Sequence, residues 1–158
     1  MGRASLPQRR RRAREIALQL IYELDLRPDL TEDEAVNMYP WSDEDDEVTG
    51  YARFLVHAAA EHTDEIDSML RDYIVGWRTE RMVAVDRASI KLALCEGVLE
   101  RRVPVAVAVS EAVELTKMFG TVESSRFVNG VLGRIIRAQT GEFSDAAGGG
   151  ADAVSKDE

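Results

Sequence analysis

Six arginines fall within the first fourteen residues (Arg3, Arg9, Arg10, Arg11, Arg12 and Arg14), with no acid among them. A guanidinium stays charged at any physiological pH and presents a planar fork of donors that matches phosphate. At about 100° per residue on a helix, Arg11, Glu15, Leu18 and Tyr22 lie opposite the apolar stripe, and Arg10 and Arg14 flank it. An aromatic beside several arginines suits phosphate contact combined with base stacking. The competing expectation is that Leu18 and Tyr22 pack under another helix, or line a dimer face, while the arginines are merely solvated.

A second basic run is "SSRFVNGVLGRIIR", Ser124 to Arg137, where no acid occurs as far as Thr140. Asn129-Gly130 between apolar residues is a strong local hairpin signal. Yet Val128, Val131, Leu132 and Ile135 recur at the spacing of one helix face. Read as a helix, the run places Arg126, Gly130, Gly133, Arg134 and Arg137 on its other side. Each glycine disfavours an interior turn by about 1 kcal/mol relative to alanine. A place there implies that another backbone, of protein or nucleic acid, comes close.

Other reactive residue types form no convincing site. His57 and His62 stand five apart on different faces with no clustered carboxylate pair, so no metal is expected. Cys95 follows Leu94 on an apolar helix and reads as a buried thiol. Glu96/Glu100 and Glu111/Glu114 have helical spacing and read as a solvated face. With no nucleophile–base arrangement or phosphate-cradling loop, neither catalysis nor a cofactor is expected.

The elements that must carry these residues read as helices throughout. The first spans Arg10 to about Leu26, with Ala13, Ile16, Ala17, Leu20, Ile21 and Leu24 as its stripe. Thr31 and Glu34 have capping-box spacing for a short second helix, and "WSDEDDE", Trp41 to Glu47, is an acidic connection. A third helix uses Val48, Tyr51, Leu55, Ala58 and Ala59. The fourth, after Thr63, uses Ile66, Met69, Leu70, Tyr73 and Ile74, and Thr79–Met82 reads as a single turn. The fifth, from Asp86, carries Ile90, Ala93, Leu94 and Val98. "VPVAVAVS" alternates like a strand, but no second strand exists to pair with it. Val105, Ala108, Val109, Ala112, Leu115 and Phe119 make it the sixth helix, with Gly120 as its stop. The last runs from Ser124 to about Ala138. The expectation is an all-α bundle of about seven helices over residues 10–140. A disordered basic arm (1–9) precedes it and a disordered acidic Gly-rich tail (141–158) follows.

The net charge of −9 hides a dipolar chain, because beyond residue 14 there are 14 basic residues against 29 acidic, a balance of −15. A basic end on an acidic protein points to a local polyanion site. One cysteine in 158 residues excludes an intrachain disulfide and suits a reducing cytosol. No signal peptide is visible and no apolar run approaches the ~20 residues that span a bilayer, so a cytoplasmic location is expected.

Four segments, "RRRRAREIALQLIYELDL", "VDRASIKLALCEGV", "VSEAVELTKMFG" and "SSRFVNGVLGRII", resemble the NusB family of transcription antitermination factors, in order and with matching separations, over about residues 9–138. The resemblance implies two helical subdomains packed at an angle and no catalytic activity. It implies binding of boxA single-stranded RNA in ribosomal RNA leaders, jointly with the small-subunit ribosomal protein NusE. That pair nucleates a termination-resistant RNA polymerase complex with other Nus factors. By motif, Arg10, Arg11 and Arg14 match the basic terminus that contacts RNA, and Ser124, Arg126, Phe127 and Asn129 lie on the RNA side. Tyr22 joins Phe127 and Asn129 as a candidate for reading unstacked bases. Glu80 and Asp86 fall in the region that meets the ribosomal protein. If the first and last helices adjoin, their arginines form one patch. Family members often have Asp where this chain has Glu123, and Tyr where it has Cys95. The alternative is a non-enzymatic protein-interaction module whose basic arm binds polyanions without sequence specificity. A homodimer fits either.

Overall fold

Ser5 and Gln8 open the first helix by capping each other: the Gln8 N–H donates to Ser5 Oγ at 3.3 Å and the Ser5 N–H to Gln8 Oε1 at 2.8 Å. Pro7 sits in the first turn, where its missing N–H leaves no partner unpaired. Helix α1 therefore runs Leu6–Leu26, not from Arg10. Arg9 to Arg14, expected to straddle the end of a disordered arm, instead lie on one helix, while Arg3 lies outside the described residues. The computed structural model describes residues 4–73 and 82–140. The proposed tail, Ile74 and Glu80 lie outside them.

The described chain continues through α2 (Glu32–Met38), a 3-10 turn (Trp41–Asp43), α3 (Asp46–Glu61), α4 (Thr63–Tyr73), α5 (Ala84–Ala93), α6 (Val105–Phe119) and α7 (Val122–Thr140), with no strand among the described residues. Thr31 and Glu34 form the expected capping box on α2. Part of the acidic connection is helical: Asp45 caps α3, and Asp46 and Glu47 occupy its first turn, where the helix dipole favours negative charge. "VPVAVAVS" is helical from Val105, with the Val107 and Ala108 N–H groups donating to the Pro104 carbonyl.

Helix α5 forms the centre. It packs on α1, α6 and α7, and every residue from Ala88 to Gly97 is buried. Past Ala93 it widens into a π-helical segment, Leu94–Leu99, in which the Glu100 N–H reaches back to the Cys95 carbonyl. Gly97 allows α6 to come close there, since a Cβ would stand 2.7 Å from Ala108 Cβ. The segment closes on Arg101, whose φ of 52° is left-handed. A non-glycine residue there is disfavoured by about 1–2 kcal/mol. The α1–α3 group and the α5–α7 group meet mainly along α1 and α5, and α4 rests on α7 and α3.

This position of α1 between α3 and α5 corrects one expectation. Leu18 is 3% exposed and does not face outward. A helix with partners on two sides has two apolar faces, and a single stripe hides the second. Leu18 is therefore no dimer face, and Tyr22 is half-buried against the same core.

Candidate nucleic-acid interface

The arginine run of α1 divides by what each side chain meets. Arg14 is 5% exposed and grips Glu96, itself 1% exposed, with Nε and Nη2 each donating at 2.8 Å. The Tyr51 hydroxyl also donates to Glu96 Oε2, and Arg14 Nη1 reaches Glu111 at 3.4 Å. Arg14 is therefore structural and not placed to touch an RNA, and Glu96 is not a solvated acid. A buried carboxylate demands paired donors, and α1 crosses α5 where Arg14 can supply them.

The neighbouring arginines find acids at the surface. Arg9 pairs with Glu47 at 3.3 Å, and Arg12 with Glu44 at 2.8 Å and Glu15 at 3.1 Å. Arg11 pairs with Glu111 at 2.9 Å while staying more than half exposed. That contact holds the Glu111 carboxyl below the usual range, and the Arg12 fork does the same to Glu44. Arg10 differs: its guanidinium lies 4.0 Å from the centre of the Tyr51 ring.

On α7 the outward side is open. Arg126, Asn129, Gly133 and Arg137 line a groove of about 590 Å³ against Ser110, Glu114 and Lys117 of α6. A Cβ on Gly130 would meet nothing within 4 Å, and one on Gly133 only the flexible end of Arg137. Neither glycine serves helix–helix packing within the described bundle. Gly120 does: a Cβ there would stand 2.9 Å from the Thr116 carbonyl and 3.0 Å from Ser124 Oγ. Its backbone is extended, not left-handed, so close approach explains the residue.

The condition for a single patch was that the first and last helices adjoin, and they are not each other's chief packing partners. Helix α1 packs chiefly on α3 and α5, whereas α7 packs chiefly on α6 and α5. Helix α6 links them, taking Arg11 on Glu111 and bordering the groove with Ser110 and Glu114. Ser124 and Asp86, expected on two different surfaces, are both buried, at 5% and 4% exposure. Burial raises the Asp86 pKa, and the Ser124 hydroxyl partly offsets it. Buried to that extent, neither is placed to meet a partner. Phe127 is half-buried against the core, and Arg126 and Asn129 are exposed. Tyr22 borders a separate pocket of about 380 Å³ with Arg12, Leu18, Val85 and Phe119.

Sequence reasoning missed one basic group. Arg102 lies 4.2 Å from the Phe54 ring centre and 5.5 Å from that of Tyr51. The signal was the pair "RR" beside Pro104, which has no helical period to mark it. Among the described residues no three His, Cys, Asp or Glu side chains group as a metal site, and no helix is long and apolar enough to cross a membrane.

Residues 11–137 match the model of the NusB family. Transcription antitermination protein NusB of Symbiobacterium thermophilum is 44% identical over 156 residues, covering 94% of this chain and 99% of that protein. A solved structure of T. maritima NusB superposes with a TM-score of 0.73 at 31% identity, covering 80% of this chain and 89% of that one. A crystal structure of the antitermination factors NusB and NusE in complex with dsRNA gives a TM-score of 0.74 at 26% identity, covering 83% and 98%.

Proposed function

This chain belongs to the NusB family, and from that membership we propose that it binds boxA-type single-stranded RNA of ribosomal RNA leaders together with the ribosomal protein NusE. In this reading it acts in the cytoplasm, without catalysis or cofactor, to help assemble a termination-resistant RNA polymerase complex. The solved complex of a similar chain with NusE and RNA supports both kinds of partner.

The observation that carries the RNA reading is the open α7 groove, where Arg126, Asn129 and Arg137 stand beside a glycine that leaves the backbone bare. A strand approaching Gly130 and Gly133 meets cations for its phosphates and an amide for a base edge. Phe127, beneath, offers a ring where an unstacked base could rest. Arg10 and Arg11 supply a second contact on α1, with phosphate taking the place of Glu111 on Arg11. Attraction of this kind is salt-dependent through counterion release.

NusE is assigned to the opposite character of the surface. Glu80 remains the candidate contact, and exposed Val83 follows it closely. Acidic surface away from α1 and α7 repels RNA and attracts a basic protein, which steers the two partners to different faces. Joining two weak surfaces on one RNA then slows its release.

The test is fluorescence anisotropy with a short boxA RNA and a scrambled control, with and without NusE, at two salt concentrations. Preference for boxA that tightens with NusE upholds the proposal. Equal, purely salt-driven binding to both RNAs would instead leave a generic polyanion-binding module.

A further inference from the structure

Beside the α1 terminus lies a basic surface distinct from the α7 groove. Two guanidiniums cover one aromatic ring there: Arg10 lies 4.0 Å from the centre of Tyr51 and Arg102 lies 5.5 Å from it, with Arg102 also 4.2 Å from Phe54. The rings themselves sit 5.8 Å apart. Among the described residues neither arginine forms an ion pair, unlike Arg9, Arg11, Arg12 and Arg14. Three acids on these elements are already engaged: Glu96 by Arg14, Glu100 by His62 and Glu47 by Arg9. Next to Arg102, exposed Arg101 holds the left-handed position that glycine would fill without strain. A strained arginine kept at the surface is a reason to ask what its side chain contacts.

We propose that this Arg10–Arg102 surface is a second RNA-contact track, which holds the single strand flanking the specific element without reading its sequence. The inference rests on the RNA-binding reading above and extends it to α3 and the turn before α6. A guanidinium lying over a ring keeps its edge donors turned toward solvent, where phosphate oxygens accept them. Its outer face remains available for a base to stack. An acidic peptide can use the charge but not the flat face, so the stacked geometry favours nucleic acid. Arg10 belongs to the run already assigned to RNA, so a strand leaving α1 continues over Tyr51 toward Arg102.

The experiment uses the full chain and three labelled RNAs: the short boxA RNA, and the same RNA with an oligouridine extension at its 5′ or its 3′ end. One extension is expected to tighten binding several-fold. Arg102→Glu should remove that gain and leave affinity for the short RNA within about two-fold. Its log–log salt slope on the extended RNA should become shallower by about 0.7 for each phosphate the variant no longer neutralises. Arg101→Gly, which relieves the backbone, should raise the melting temperature while shrinking the same gain. The track is overturned if neither extension tightens binding, or if Arg102→Glu weakens short and extended RNA by one factor. It is also overturned if that variant spares both RNAs and loses only binding of a polyglutamate peptide. Should the short RNA show no preference over its scrambled control, the boxA reading fails, yet an Arg102-dependent gain would still uphold the track.

Discussion

Arg14 and Glu96, 82 positions apart, meet in a two-pronged ion pair with both contacts at 2.8 Å, buried between α1 and the π-helical end of α5. Tyr51 of α3 donates to the same carboxylate, so three elements converge on one charge. The pair fixes how α1 lies on the bundle, and thereby where Arg10 and Arg11 point.

Removing one partner should therefore unfold the protein more readily. Arg14→Ala leaves Glu96 buried without its counter-ion and should destabilise by about 3–5 kcal/mol, read as a lowered urea midpoint. Arg14→Met with Glu96→Leu should recover much of that stability. Arg11→Ala, at an exposed pair, should leave the midpoint nearly unchanged and weaken RNA binding. An Arg14→Ala protein as stable as wild type but unable to bind RNA would return Arg14 to the interface.

The glycines separate in the same way. Gly130→Ala adds a methyl into open space, so helix propensity alone should stabilise α7 by up to about 1 kcal/mol. Gly97→Ala drives a Cβ against Ala108 and should destabilise by about 1–3 kcal/mol. Gly130→Leu should keep the helical circular-dichroism signal while weakening RNA binding. Unchanged RNA affinity in that variant would remove the close-approach explanation for the "NG" pair.

The course of these helices was legible because Ile16, Leu20, Leu55, Leu132 and Ile135 keep helical spacing and all end up buried. Even the valine alternation of 103–109 resolved correctly, since a strand needs a partner. The side chains of the candidate site were much less legible. Arg14 and Arg11 are three apart with the same charge, and only the arrival of Glu96 from a distant helix makes one structural. Ser124 and Asp86 likewise look like surface polar residues until α5 and α7 pack and bury them together. Periodicity reports how a helix meets one neighbour. It is silent about the second neighbour that covers Leu18, and about loop residues such as Arg102.

Cys95 should be chemically silent in the native state. Burial, helped by nearby Glu100 and Glu96, pushes its thiol up to about 12, and the thiolate is the reactive form. Ellman's reagent at pH 8 should show essentially no fast thiol in folded protein and one equivalent after denaturation. A rapid native reaction would mean that the α5 π segment opens readily.

Stability should decline as the pH rises through neutrality, because of His62. Its Nε2 meets Glu100 at 2.7 Å and its Nδ1 meets Glu65 at 3.2 Å, bonds that raise its pKa above the ordinary histidine value of 6.5, with Glu100 the larger cause. A histidine with a raised folded pKa binds its proton more tightly folded than unfolded. Its contribution is therefore complete below the unfolded pKa and disappears as pH climbs through the folded one. His57, between Glu32 and Glu61, has the same sign but is exposed at the surface. Urea midpoints measured from pH 5.5 to 8.5 should fall with pH in the wild type. His62→Gln should flatten most of that slope, and Glu100→Gln should do so in parallel, since each removes the same bond between the α3–α4 corner and the end of α5. A slope that survives both substitutions but vanishes in His57→Gln would place the pH dependence on α3 and α2 instead.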